Sequence, residues 1–244
     1  MLRAQGLDRW FGGVHALDSV DIDVATGSLH AIIGPNGSGK STFFNLITGH
    51  TRPNRGRVLF EGVDVTGRSY DQMVRAGIAK SYQITTVFQS LSVFENVRIA
   101  AQSAKWPYVF WFPAGRLRDV TARAEEVLAH VGLEGRRDHL AGTLSHGELR
   151  LLDLAIALAT GPRLLLLDEP TAGMSPTETA ETVRLIQELR KDVTVVMIEH
   201  KMNIVLEIAD RVTVLHYGKK LFEGTPAEVR GHPTVQEVYL QGAL

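Results

Sequence analysis

Gly34-Pro35-Asn36-Gly37-Ser38-Gly39-Lys40-Ser41 follows the pattern Gly-x-x-x-x-Gly-Lys-Ser. Before it stands a short β-like run, Leu29-His30-Ala31-Ile32-Ile33. After it, Lys40 to Thr48 has helical spacing until Gly49 stops it. Strand, glycine-rich turn and helix in that order make a phosphate cradle. The glycines let the backbone wrap closely, so that its N–H groups point at phosphate oxygens, and the helix N-terminus adds a positive dipole end. Lys40 supplies a point charge to the β- and γ-phosphates, and the Ser41 hydroxyl can ligate Mg²⁺. The plain alternative, a glycine-rich turn with a solvated lysine, has to explain the whole motif in register and in its proper context.

Further along, Leu164-Leu165-Leu166-Leu167-Asp168-Glu169-Pro170 is an apolar run ending in two acids. A strand this apolar is buried on both faces, as in parallel sheets. It delivers its carboxylates to the carboxyl edge of the sheet, where open α/β folds bind ligands. Asp168 would hold Mg²⁺ through water, and Glu169 is placed to orient or deprotonate the attacking water. A solvated Asp-Glu turn is common in isolation; beside a phosphate cradle it becomes the lesser reading.

Strands alternate with helices along the rest of the chain. Strand-like runs cover 20–24, 57–60, 193–198 and the antiparallel pair 212–215 and 220–223 around Tyr217-Gly218. Helical spacing covers 72–78, 119–131, 145–160, 176–190 and 203–209. This predicts an α/β core with a mainly parallel sheet. The 244 residues fit one large domain, or a core with a small subdomain. A formal net charge of −1 sets up no field for nucleic acid or anionic lipid, and the absence of cysteine excludes disulfides and zinc–thiolate sites. Met1 to Gly6 has no apolar core of a secretory signal, and no apolar run reaches the roughly 18–20 residues that span a bilayer. The expected location is therefore cytoplasmic, with any service to a membrane given from outside the lipid.

Cradle and carboxylates alone say nucleoside triphosphatase. Leu144-Ser145-His146-Gly147-Glu148, upstream of the carboxylate strand, resembles the Leu-Ser-Gly-Gly-Gln signature of ATP-binding cassette (ABC) proteins. Ser145-x-x-Glu148 is also a helix capping box, and the two readings coexist, because a capped helix start is an anion site. In this family the signature meets the γ-phosphate of ATP held by the opposite subunit, which the resemblance assigns to Ser145 and Gly147. His146 departs from the usual glycine and Glu148 from the usual glutamine. His200 resembles the switch histidine that contacts the γ-phosphate. It joins Glu169 and Lys40 as the implied catalytic set. Thr171 to Pro176 resembles the loop that touches the partner subunit, with Ser175 where aspartate is usual. Gln83, in Gly77-Ile78-Ala79-x-x-x-Gln83, matches the glutamine that links Mg²⁺ to the transport channel, with Gln89 as competitor. Trp10-Phe11-Gly12-Gly13 resembles the segment whose aromatic, here Phe11, stacks on adenine; a core ring is the plain reading. ATP contacts would then run from Phe11 through Gly34, Pro35, Asn36, Gly37, Ser38, Gly39, Lys40, Ser41 and Thr42, and Mg²⁺ contacts would come from Ser41, Gln83 and Asp168.

The resemblance covers nearly the whole chain. It implies a P-loop core with an N-terminal antiparallel β portion, formed by residues 1–82 and 162–244, and a small helical subdomain over about 83–161. Thr42 to Gly49, Ile198 to Met202 and the tail ending Tyr239-Leu240-Gln241-Gly242 are similar to the branched-chain amino acid and urea/amide importers. That group implies transmembrane permease subunits, a second and non-identical ATPase subunit, and a periplasmic solute-binding protein as indirect partner. A lipopolysaccharide-export ATPase is the nearest rival. A soluble ABC ATPase acting on DNA or ribosomes is disfavoured by the lack of sustained heptads over 50–140 and by the single cassette. A P-loop kinase or GTPase leaves the signature and His200 unexplained. Trp106 to Pro113 is an aromatic run bracketed by prolines and flanked by Lys105, Arg116 and Arg118. It either packs inside the helical subdomain or stays exposed to dock a permease loop.

Overall fold

The computed structural model describes residues 1–81, 87–105 and 114–241, except for the side chains of 105, 114–117 and 239–241. In chain order its first elements are β1 (Leu2–Phe11), β2 (Val14–Val24), β3 (Leu29–Ile33), α1 (Lys40–Ile47), β4 (Arg55–Phe60), β5 (Val63–Asp64), α2 (Tyr70–Ala76) and β6 (Ile78–Ser81). Then come α3 (Val93–Lys105), α4 (Ala114–His130), α5 (His146–Ala159), β7 (Leu164–Asp168), α6 (Pro176–Leu189), β8 (Thr194–Ile198) and α7 (Met202–Ile208). The chain closes with β9 (Arg211–His216), β10 (Lys219–Gly224), α8 (Pro226–Gly231) and α9 (Pro233–Gln241).

Among the described residues there are two sheets. One is antiparallel, in the order β2-β1-β4-β5, and the other runs β10-β9-β3-β8-β7-β6. In the second sheet β9, β3, β8, β7 and β6 are mutually parallel and only β10 is antiparallel, joined to β9 through the Tyr217-Gly218 turn. Every residue of β3, β7 and β8 is buried. Their alternate side chains feed two cores, as the pleat requires. Leu164, Leu166 and Ile32 face the core shared with the antiparallel sheet and with Phe43 and Phe44 of α1. Leu165, Leu167, Ala31 and Ile33 face the core built with α3 to α7. The strand ends at β3, β8 and β7 are neighbours, so whatever follows them converges at one carboxyl edge.

The predicted α/β sheet is present, and its elements differ from the sequence reading in instructive places. The helix expected over 72–78 ends at Ala76, because Gly77 caps it in the left-handed region (φ 98°) and Ile78 already belongs to β6. Strand β1 has no clean two-residue signal in the sequence, because its alternation is broken: register shifts on both sides of Leu7 interrupt the pattern that Leu2 and Ala4 begin. Helix α3 leaves a weak signal in the sequence because its inward positions include the small Ala100 and Ala101 beside Val93 and Val97. Gln83 and the Trp106 to Pro113 run lie outside the described residues. No described helix is long and apolar enough to cross a membrane.

Candidate functional site

The cradle is shaped by two positions that only glycine fits. At Gly34 (φ 154°) a Cβ would stand 2.1 Å from the Leu215 carbonyl oxygen, and at Gly39 (φ 102°) one would stand 2.6 Å from that of Ala16. Packed so closely on β9 and β2, the loop delivers Lys40 to the first position of α1. Lys40 is 6% exposed, and its Nζ donates to the carbonyls of Gly34 (2.8 Å) and Pro35 (2.9 Å). Burial lowers the Lys40 pKa, while the Glu169 and Asp168 carboxylates oppose that shift. Ser38 Oγ is buried in the cradle without a hydrogen-bond partner, a hydroxyl suited to a phosphate oxygen. A cavity of about 440 Å³ is lined by Asn36 to Thr42, by Glu169 and His200, and on its far side by His15 and Tyr217.

Asp168 ends β7, and the next residue turns sharply: Glu169 has φ 50°, a conformation that strains any residue with a Cβ. The strained residue is held from β8. Its amide donates to the Ile198 carbonyl (2.9 Å), and its Oε1 pairs with His200 Nε2 at 2.8 Å. Asp168 Oδ2 lies 2.8 Å from the Nζ of Lys80 on β6, both side chains being about nine-tenths buried. The Ser41 hydroxyl and the Asp168 carboxylate are hard oxygen donors, the kind Mg²⁺ takes, and together they fit that ion.

Ser145 and Gly147 lie elsewhere. Ser145 caps α5: its Oγ accepts from the Glu148 amide (3.3 Å), and Glu148 Oε2 accepts from the Ser145 amide (2.8 Å). Glu148 also meets Arg136 at 2.6 Å. These hydrogen bonds, that of the Ser145 amide foremost, hold the Glu148 carboxyl below its usual range. The glutamate in place of the family glutamine therefore has a local partner. Ser175 builds the same box with Glu178 on α6. A Cβ on Gly147 would come within 2.6 Å of Glu178 Oε1, and one on Gly173 within 3.5 Å of the His146 ring. Ser145, Gly147, Met174 and Glu178 line a separate cavity of about 500 Å³.

Within one chain, then, the cradle residues from Asn36 to Thr42 join Glu169 and His200 around one cavity, with Asp168 behind them against Lys80. Gly34 and Pro35 form the start of the cradle. Phe11 is not in the cavity lining. It pairs across the β1–β2 turn with Val14, which is, and it carries the Arg9 guanidinium 4.5 Å over its ring. Gln89 is exposed, and its carbonyl accepts from the Gly142 amide. Sequence reasoning missed Lys80 and Glu199. Glu199 is 3% exposed and accepts from the Thr171 hydroxyl and from the amides of His200 (2.7 Å) and Lys201 (3.2 Å). Both were legible as charges inside or at the end of apolar runs.

A family model for ABC transporters matches residues 17–172, and one for branched-chain amino acid ATP-binding cassette transporters matches residues 219–240. The chain is similar to the high-affinity branched-chain amino acid transport ATP-binding protein BraF of Pseudomonas aeruginosa: 35% identical over 248 residues, 98% of this chain and 97% of the relative. It is similar to a solved ATP-binding cassette of an ABC transporter in its ADP conformation, with TM-score 0.87, 32% identity and 98% of each chain covered. It is also similar to a cassette solved as a dimer in a post-hydrolysis state with ADP and phosphate, with TM-score 0.78, 25% identity, and 93% of this chain and 99% of that one covered.

Proposed function

This chain belongs to the ABC transporter family, in its branched-chain amino acid group, and from that premise we propose that it is the ATP-hydrolysing subunit of an importer for branched-chain amino acids or related small polar solutes. The observation that carries the chemistry is the convergence at one sheet edge of the cradle, Glu169 and His200, with Glu169 and His200 already hydrogen-bonded.

Each residue has a role that follows from its place. The cradle amides and the Ser38 hydroxyl surround the phosphates, and Lys40 neutralises the β- and γ-phosphate charge. Ser41 and Asp168 would hold Mg²⁺, with Gln83 proposed as a further ligand. The ion, when bound, neutralises charge on the β- and γ-phosphate oxygens. Glu169 takes the proton of the attacking water, and His200 keeps the carboxylate oriented and faces the γ-phosphate. Phe11 pairs with Val14 of the cavity wall, which supports its serving the base from the β1–β2 turn.

Ser145 and Gly147 line a different cavity from the cradle, which supports their serving ATP held by another subunit. The assembly we propose has two such ATPase subunits, the second non-identical, beneath two permease subunits, with a periplasmic binding protein as the solute's first contact. The chain would act peripherally at the cytoplasmic face. Residues 83–161 would form the lobe facing the permease. Affinity purification of the tagged chain from solubilised membranes tests this: branched-chain amino acid permease subunits and a second cassette should co-purify. Recovery with an exporter's membrane subunits would overturn the import reading.

A further inference from the structure

Strand β6 is the edge of the parallel sheet, and its four residues alternate between the two cores. Ile78 faces the core of α1, and Ala79 the core of α5. The pleat carries the alternation on. Lys80 turns to the α1 side, with Nζ 5.5 Å from the Phe44 ring centroid and 2.8 Å from Asp168 Oδ2. Ser81 turns to the other side, where its hydroxyl donates to Asp153 of α5 at 2.6 Å. Lys80 and Asp168 are each 8% exposed.

A lysine nine-tenths buried inside a strand is costly unless its charge is met, and an apolar residue of similar volume would serve packing as well or better. Asp168 is what meets it, and Asp168 is the carboxylate assigned above to Mg²⁺. One side chain thus has two cationic claimants, one of them permanently built into the neighbouring strand. We propose that Lys80 is a positioning residue that holds the Asp168 carboxylate in place, and that its positive charge weakens and so tunes divalent-cation binding. The inference rests on the Mg²⁺ role given to Asp168.

Removing a unit charge a few ångströms from a divalent cation favours that cation. The carboxylate, relieved of its ion pair, also gains more from the ion, so both effects point the same way. The test uses the full chain carrying Glu169→Gln, so that bound ATP persists, with Mn²⁺ as a paramagnetic probe. Lys80→Met should tighten Mn²⁺ binding in the presence of ATP by about tenfold, while ATP binding in EDTA stays within about twofold. Lys80→Arg should stay near the starting affinity, and in an Asp168→Asn background Lys80→Met should have a smaller effect, since only the direct repulsion between lysine and ion is then relieved. Weaker or unchanged Mn²⁺ binding by a folded Lys80→Met chain would overturn the proposal. If that variant does not fold, the ¹⁵Nζ resonance of Lys80 in the otherwise unaltered chain decides: it should shift when Mg²⁺ joins ATP, and a resonance blind to the ion overturns the proposal. If Asp168→Asn alone leaves Mn²⁺ affinity untouched, the metal role of Asp168 itself fails, which is a separate result.

Discussion

His30 sits in β3, an inner strand of the parallel sheet, at 1% exposure, its Nε2 hydrogen-bonded to Thr213 Oγ1 at 2.8 Å. Burial is the main cause that pushes its pKa down from 6.5 to about 4; Arg211 and Lys220 push the same way, and Glu223 and Asp23 oppose them. The folded chain therefore binds this proton less readily than the unfolded one. Stability is full above the unfolded value of 6.5, falls as the pH drops through it, and levels off below about 4. A separation of about 2.5 pH units corresponds to about 3 kcal/mol in full, of which about 2 kcal/mol is lost between pH 8 and pH 5. That is a sizeable part of the stability of an ordinary domain. His30→Gln keeps a hydrogen-bonding group opposite Thr213 and removes the titration. Urea unfolding followed by circular dichroism, at several pH values from 8 to 5, should give a slope for the native chain steeper by about 2 kcal/mol over that range. His50, whose pKa burial also lowers, is present in both chains and cancels. The lowered carboxyl of Glu223 titrates below the range measured. Parallel curves for the two chains would refute the reasoning.

Glu169→Gln should retain ATP binding while turnover falls by about 10²–10⁴-fold, because the base is lost and the cradle is intact; Lys40→Ala should weaken ATP binding itself. Unchanged steady-state hydrolysis by the glutamine variant would remove Glu169 from that role. The isolated chain should hydrolyse ATP poorly and in a concentration-dependent way, and ATP with Glu169→Gln should shift sedimentation toward dimers; full activity in a stable monomer would contradict the shared site. Gly39→Ala should abolish nucleotide binding and destabilise the fold by about 1–3 kcal/mol, since it combines a left-handed φ with a carbonyl 2.6 Å from the new Cβ. Calorimetry and a fluorescent nucleotide check both effects.

Much of the core could be read because long apolar residues mark it. Leu164 to Leu167 declare a strand buried on both faces, and the helix capped by Ser145 announces itself through a capping box that the structure realises. What escaped was of two kinds. Strand β1 bends around Gly6 (φ 55°) and loses its two-residue period there, while α3 buries alanines, whose small area barely marks a face. The second kind is tertiary pairing between distant charges. Lys80 and Asp168 are 88 positions apart, Arg136 and Glu148 meet around a turn, and no local pattern joins either pair. The two absences of the usual signature residues become intelligible only in three dimensions. Glu148 has Arg136, and His146 lies against Gly173 and lowers the Glu178 carboxyl behind the hydrogen bonds from Ser175.

The tie between β7 and β8 explains how a strained base can be kept in place. A left-handed φ at a glutamate costs about 1 kcal/mol, against which the turn itself sets one hydrogen bond, from the Ala172 amide to the Glu169 carbonyl (3.1 Å). The restraint comes from the neighbouring strand: Ile198 receives the Glu169 amide, and His200 pairs with the carboxylate. His200 in turn is held by Glu199, which takes the His200 and Lys201 amides together with the Thr171 hydroxyl, while Lys201 Nζ donates back to the Thr171 carbonyl at 3.1 Å. The loop after β7 and the loop after β8 are therefore locked to each other by a buried carboxylate. On the proposed contact between His200 and the γ-phosphate, a change there would be passed to Thr171, and through it to the Ala172 to Ser175 segment that precedes α6. The same few hydrogen bonds that hold the base for chemistry thus give the site a route to the surface proposed to meet the second subunit.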